Sequence, residues 1–96
     1  MSIKEFQNLI KRIYYEKDKK RGVDGSFRWL VEEVGELARC LRTRKKDKEG
    51  LKEEFADIFA WLVSLASLCE IDMEEAVKKY KNGCPRCKKW RCICQG

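Results

Sequence analysis

Between Leu51 and Leu68 the chain carries apolar side chains on almost every side of a helix, with Leu51, Phe55, Ile58, Phe59, Leu62, Val63 and Leu65 covering far more than one stripe. A surface helix needs one apolar face, whereas a helix apolar nearly all round must be enclosed on several sides. Ninety-six residues, 44% of them hydrophobic, supply one modest core. For so short a chain the easiest enclosure is another subunit, so a homodimer, or a tetramer, is expected. The longest apolar stretch, Ile58 to Cys69, is interrupted by Ser64 and Ser67 and is too short to span a bilayer, so no membrane partner is expected.

The remaining periodicity is helical as well. Ser2-Ile3-Lys4-Glu5 forms a capping box that opens a first helix, striped by Ile3, Phe6, Ile10, Ile13 and Tyr14 and running to about Lys19. Arg21 to Ser26 breaks that pattern, and Asp24 or Ser26 is placed to cap a second helix over about Phe27–Arg44. A charged connection, Lys45 to Gly50, precedes the third helix at Leu51–Leu68. Asp72-Met73-Glu74-Glu75 caps a short fourth helix ending near Lys81, with Asn82-Gly83 as its stop. Short links between four helices predict an all-α, antiparallel helical bundle over residues 1–82, completed by dimerisation, followed by a cysteine-rich tail over residues 83–96.

Composition narrows the chemistry. Histidine is absent, so hydrolysis here must rest on carboxylates, lysine or metal-bound water. The net charge of +6 would attract polyanions, but the basic residues are spread over helix surfaces and tail. A solvated surface is therefore favoured over a nucleic-acid groove, and nucleic acid stays a secondary candidate partner. Lys4, Glu5, Lys11 and Arg12 leave no room for a signal-peptide apolar region, so a cytoplasmic location is expected.

Two acidic motifs stand out, Glu32-Glu33-Val34-Gly35-Glu36 and Glu53-Glu54-Phe55-Ala56-Asp57. Projected at ~100° per residue, Glu33 falls inside the apolar arc between Cys40 and Leu37, and Glu36 sits at its margin beside Trp29. Glu32 points further out. On the next helix Glu54 falls between Trp61 and Leu65 and Asp57 beside Leu68, while Glu53 shares a more polar arc with Ser64. Solvated helix glutamates are the ordinary case, yet Glu32, Glu33, Glu54 and Asp57 have no basic residue four positions on. Clustered acids beside apolar residues need a counter-charge, and an all-oxygen donor set selects a hard cation: Mg²⁺, with Mn²⁺ as a substitute.

The run Leu30-Val31-Glu32-Glu33-Val34-Gly35-Glu36-Leu37 followed by Glu53-Glu54-Phe55-Ala56-Asp57 resembles the EExxE…ExxD signature of the MazG-like nucleotide pyrophosphohydrolases, part of the all-α NTP pyrophosphatase superfamily. The likeness covers about Phe27 to Asn82. It implies Mg²⁺ on Glu33, Glu36, Glu54 and Asp57, the four acids singled out by the projection, with Glu32 a supporting acid that orients the attacking water. It implies cleavage of a nucleoside triphosphate between the α- and β-phosphates, giving the monophosphate and pyrophosphate, as in nucleotide-pool house-cleaning. By the same resemblance Lys78 and Asn82 are candidate nucleotide contacts; a surface lysine and a helix C-cap are the plainer readings. Trp29 and Trp61 flank the acidic faces and could stack a base, although core packing is the commoner role. Arg28, Arg42 and Arg44 are phosphate-contact candidates on charge alone.

Cys84-Pro85-Arg86-Cys87 and Cys92-Ile93-Cys94 give the spacing C-x₂-C-x₄-C-x-C, which can surround one tetrahedral Zn²⁺ in a zinc-knuckle-like turn. Disulfides, a redox CPxC pair and simply reduced thiols are the rivals. Cys40 and Cys69 lie in apolar patterns and read as buried packing. An alternative reading of the whole chain is a catalytically silent, zinc-containing nucleic-acid-binding or interaction protein, drawing on Lys88, Lys89, Trp90 and Arg91.

Overall fold

The computed structural model describes residues 1–43 and 47–96. Helix α1 (Ile3–Arg42) is followed by α2 (Lys48–Leu68) and a single turn, α3 (Met73–Ala76), that tightens into a 3₁₀ turn over Val77–Tyr80. Among the described residues there is no strand, and no helix is long and apolar enough to cross a membrane. The expected first and second helices are two limbs of α1, so the described residues hold three α-helices where four were anticipated.

The division between the limbs is a single residue. Gly22 adopts φ 77 and ψ 175, and the chain resumes helical geometry at once. The six-residue break expected over Arg21–Ser26 is thus a kink. Asp24 is exposed within the second limb. Ser26 is fully enclosed there and its hydroxyl has no partner among the described residues, so neither caps a helix start. A side chain is disfavoured at Gly22 by backbone conformation, since nothing lies within 4 Å of where its Cβ would be.

The helix ends follow sequence chemistry closely. Ser2 Oγ accepts from the Glu5 amide at 3.0 Å and Glu5 Oε1 accepts from the Ser2 amide at 2.8 Å, which is the anticipated capping box. Asp47 caps α2, which starts at Lys48, three residues before the expected Leu51, so Lys48, Glu49 and Gly50 belong to the helix. Arg44, Lys45 and Lys46, part of the expected second helix and connection, lie outside the described residues. Asp72 caps α3 by accepting from the Glu74 and Glu75 amides. The α-helical part of the expected fourth helix stops at Ala76.

Both limbs of α1 pack on α2. Near the start of α1, the buried Gln7 donates from Nε2 to Ser67 Oγ (3.0 Å) and to the Ile71 carbonyl (2.8 Å), and its Oε1 accepts from the Met73 amide (2.9 Å). One side chain thereby ties α1 to the end of α2 and the start of α3. Phe6 stacks on Phe59 with centroids 5.2 Å apart, and Trp29 of the second limb stacks on Trp61 at 5.9 Å. Along the second limb the partners on α2 run backwards, from Trp61 opposite Trp29 to Asp57 and Glu54 opposite Glu33, the order of antiparallel packing.

Little of the apolar surface is enclosed. The buried hydrophobic side chains among the described residues are Ile10 and Val63, while Ile13, Phe27, Val31 and Phe55 each keep about half or more of their surface open. Cys69, expected in the core, is the exposed C-cap of α2, and Cys40 is only half-buried. Gly22→Ala is expected to destabilise the fold by roughly 1–3 kcal/mol, the cost of forcing a side chain into a backbone region that is essentially glycine's own. Chemical denaturation of the two proteins, compared at equal concentration, measures it.

Candidate active site

Glu33 projects from the second limb of α1, and Glu54 and Asp57 from successive turns of α2. Each offers a carboxylate oxygen within 4.8 Å of one from the other two. Glu54 and Asp57 share a face because they are three residues apart on a helix. Glu33 reaches them because α1 and α2 pack side by side.

Two features make this convergence a candidate cation site. Glu54 Oε2 is buried and has no hydrogen-bond partner among the described residues, which is costly for a carboxylate oxygen. The Glu33 carboxyl is held above its ordinary value of 4.5, first by burial and then by the negative charges of Glu54, Asp57, Glu36 and Glu32. The donors are hard oxygens without sulfur or imidazole, suited to a hard divalent cation.

Glu36 and Glu32 stand apart from the three. Glu36 Oε1 accepts from Arg39 at 3.1 Å in an ion pair that is largely solvent-exposed, one helical turn beyond Glu33. Glu32 lies in a neighbouring groove with Phe27, Arg28, Val31 and Arg39. Lys78 pairs with Glu75 at 2.8 Å on the 3₁₀ turn, and Asn82 is exposed beyond it. Arg42 is exposed in the last turn of α1, and Trp29 spends one contact on Trp61.

Beside the carboxylates opens a cavity of about 210 Å³ whose wall includes Asp57, Trp61, Ser64, Lys17 and Arg21. Asp57 therefore belongs both to the acidic cluster and to the cavity. Arg21 Nη1 donates to Asp18 Oδ1 at 2.9 Å, and its guanidinium centre sits 4.8 Å from the Trp61 ring centroid. Asp18 is only 2% exposed, so the arginine is held from below by a buried carboxylate and from the side by an aromatic face. Sequence reading passed over Lys17, Asp18 and Arg21, because a charged run at helix spacing reads as solvated surface. Ser64, assigned to a polar arc, is buried and lines this cavity.

Three carboxylates from two helices, able to hold a cation, border a cavity that mixes aromatic, basic and acidic side chains. Residues 22–91 match the MazG nucleotide pyrophosphohydrolase domain. The chain belongs to that family. The matched stretch begins at the kink and includes every acid of both motifs. Among curated relatives, dCTP pyrophosphatase 1 of Mus musculus is 36% identical over a segment making up 50% of this chain and 35% of that protein. Its Bos taurus counterpart is 37% identical over the same shares. This chain thus spans about a third of the length of the relatives it resembles.

The charge state of this MazG chain's Glu33 has a thermodynamic consequence. A carboxyl whose proton affinity is raised by folding stabilises the fold while protonated; that contribution is complete below the unfolded-state value and lost as pH rises through the folded one. At neutral pH, with no divalent cation added, ionised Glu33 therefore costs stability. Glu33→Gln is expected to raise Tm at neutral pH under those conditions, with a gain that shrinks as pH falls into the carboxylate range. Thermal melts of both proteins across pH test the sign.

Proposed function

We propose that this chain is a Mg²⁺-dependent nucleoside triphosphate pyrophosphohydrolase, converting NTP or dNTP and water to the monophosphate and pyrophosphate. The observation that carries the reading is the convergence of Glu33, Glu54 and Asp57, with a buried carboxylate oxygen that has no partner among the described residues, at the edge of a cavity lined by Lys17 and Arg21 as well as Asp18 and Asp57. Family membership supplies the reaction class, and the likeness to dCTP pyrophosphatases makes dCTP the first nucleotide to try.

In this reading Glu33, Glu54 and Asp57 hold the cation, and Glu36 completes the set by leaving Arg39. An exposed ion pair of that kind is worth roughly 0–1 kcal/mol, little against coordination of a divalent ion. When bound, the cation neutralises phosphate oxygens and provides an activated water. Arg21 and Lys17 contribute the positive charge that draws the polyphosphate into the cavity, with Arg21 pre-positioned by Asp18 and Trp61. Glu33, whose carboxyl holds a proton more strongly than usual, and Glu32 beside it, are the carboxylates assigned to orienting and deprotonating water. Lys78, Asn82 and Trp29 remain assigned to nucleotide contact, reached by closure or from a second subunit.

The working unit is at least a homodimer. Phe27 and Val31 border the open groove beside Glu32, and Phe55 is 58% exposed, next in sequence to Glu54. Apolar surface of this extent, flanking functional acids, is the signature of a subunit interface. Sedimentation velocity at micromolar concentration should report dimers or tetramers; a monomer refutes this part of the proposal.

The decisive assay reads pyrophosphate release from a panel of NTPs and dNTPs, dCTP included, with and without Mg²⁺. Turnover dependent on Mg²⁺ is expected, with inorganic pyrophosphate and not single phosphate as product. Glu54→Gln, which keeps size and removes charge, should lower kcat by about 100-fold or more, since coordination of the cation is lost. No turnover on any nucleotide, together with salt-sensitive binding of DNA or RNA, would favour the catalytically silent alternative.

A further inference from the structure

Outside the carboxylate site, the four cysteines of the tail bring their sulfurs together: Cys84, Cys87, Cys92 and Cys94 each present Sγ within 4.8 Å of the other three. The Cys84 and Cys94 sulfurs are 3.7 Å apart. In a regular ZnS₄ tetrahedron with bonds of ~2.3 Å, neighbouring sulfurs lie ~3.8 Å apart. A disulfide would link only two of the four and leave the others' convergence unexplained.

The backbone is shaped to produce that convergence. The Cys84 amide donates to the Lys89 carbonyl at 2.9 Å and the Lys88 amide donates back to the Cys84 carbonyl at 2.8 Å, closing a tight loop over the first cysteine pair. Lys88 holds a left-handed conformation at φ 62. Gly83 sits at φ +99, where an added Cβ would lie 2.7 Å from the Lys89 oxygen. The Cys94 amide also points at the Cys92 sulfur, 3.3 Å away. This segment has no helix, no strand and no apolar core of its own: Trp90 is 80% and Ile93 69% exposed. Strained backbone and four inward sulfurs without hydrophobic support call for a cross-link.

The geometry assigns Cys84, Cys87, Cys92 and Cys94 as a closed tetrahedral site for one zinc ion. Four thiolates fill the coordination shell and leave no position for water or substrate, so the ion staples the C-terminal segment and takes no part in hydrolysis. The assignment is independent of the reaction proposed above.

Cobalt titration of the reduced, metal-free full chain tests it. One Co²⁺ per chain should bind and develop the intense d–d and sulfur-to-cobalt bands of tetrahedral thiolate coordination. Equimolar Zn²⁺ should bleach them, and millimolar Mg²⁺ should not. Cys87→Ser and Cys94→Ser should each abolish or strongly weaken the bands, whereas Glu54→Gln should leave them intact. Absence of thiolate bands in the wild-type chain overturns the assignment, as does cobalt bound only in a form that Glu54→Gln removes. Because the wild-type titration decides by itself, a variant that fails to fold does not blunt the test. Intact cobalt bands in a protein without turnover would refute the enzymatic reading alone, and the converse result would refute the zinc site alone.

Discussion

Three carboxylates meeting between two helices set the terms for the rest of this molecule. Unit charges of like sign separated by less than 5 Å repel by about 3–4 kcal/mol at an intermediate effective dielectric. The contacts that fix α1 on α2 must hold against that repulsion. They are the Gln7 clamp at one end, the Phe6–Phe59 pair, and the Trp29–Trp61 stack just beyond Asp57. A small fold with a stability of about 5–10 kcal/mol tolerates such a term only where something else offsets it. A divalent cation reverses its sign, since the same oxygens that repel one another then become its ligands. Cation binding and folding are thereby linked in the proposed enzyme.

The chain places its two candidate metal-ligating groups at a distance in sequence and with opposite chemistry. Oxygen donors lie on the long helices and sulfur donors on a segment without secondary structure. Hard carboxylates suit Mg²⁺, and a thiolate cage suits zinc and discriminates against Mg²⁺ through donor type. Rigidity differs for the same reason. The carboxylates inherit their positions from helix packing that exists before any ion arrives, whereas the sulfurs sit on strained turns at Gly83 and Lys88 with no core beneath them.

Much of this was legible in the residues. Ser2–Glu5 and Asp72 announce helix starts through side-chain oxygens that serve backbone amides, a local interaction that needs no tertiary context. Helical projection finds Glu33, Glu54 and Asp57 because a carboxylate among apolar neighbours is costly wherever the helix packs. Other features depend on what lies across the fold. A lone Gly22 in a break-like segment does not reveal that helix resumes at the next residue, since that outcome is set by both limbs sharing α2. Asp18 and Arg21 look like any i,i+3 surface pair until Trp61 covers the arginine. The apolar context of Cys69 is genuine, yet the helix ends on it and leaves it exposed. Glu36 satisfies the projection as well as its companions do, but a neighbouring Arg39 competes for it, and spacing alone does not rank those partners.

The kink shapes how so short a chain brings both signs of charge together. Cations and carboxylates one turn apart on a helical face pair with each other, as Arg21 does with Asp18 and Arg39 with Glu36. Gly22 divides the labour. Residues before it supply Lys17 and Arg21, and residues after it supply Glu33. Both limbs then converge on one stretch of α2, where Asp57 faces the carboxylates and the cavity alike, and Trp61 receives Arg21 and Trp29. Arg21 is paired with the buried Asp18 at 2.9 Å. A straight α1 would carry Lys17 and Arg21 along the same axis and away from Glu33, roughly 1.5 Å for every residue between them. A kink at a single glycine thus leaves Lys17 and Arg21 on one limb and Glu33 on the other, with both limbs reaching the stretch of α2 around Asp57 and Trp61.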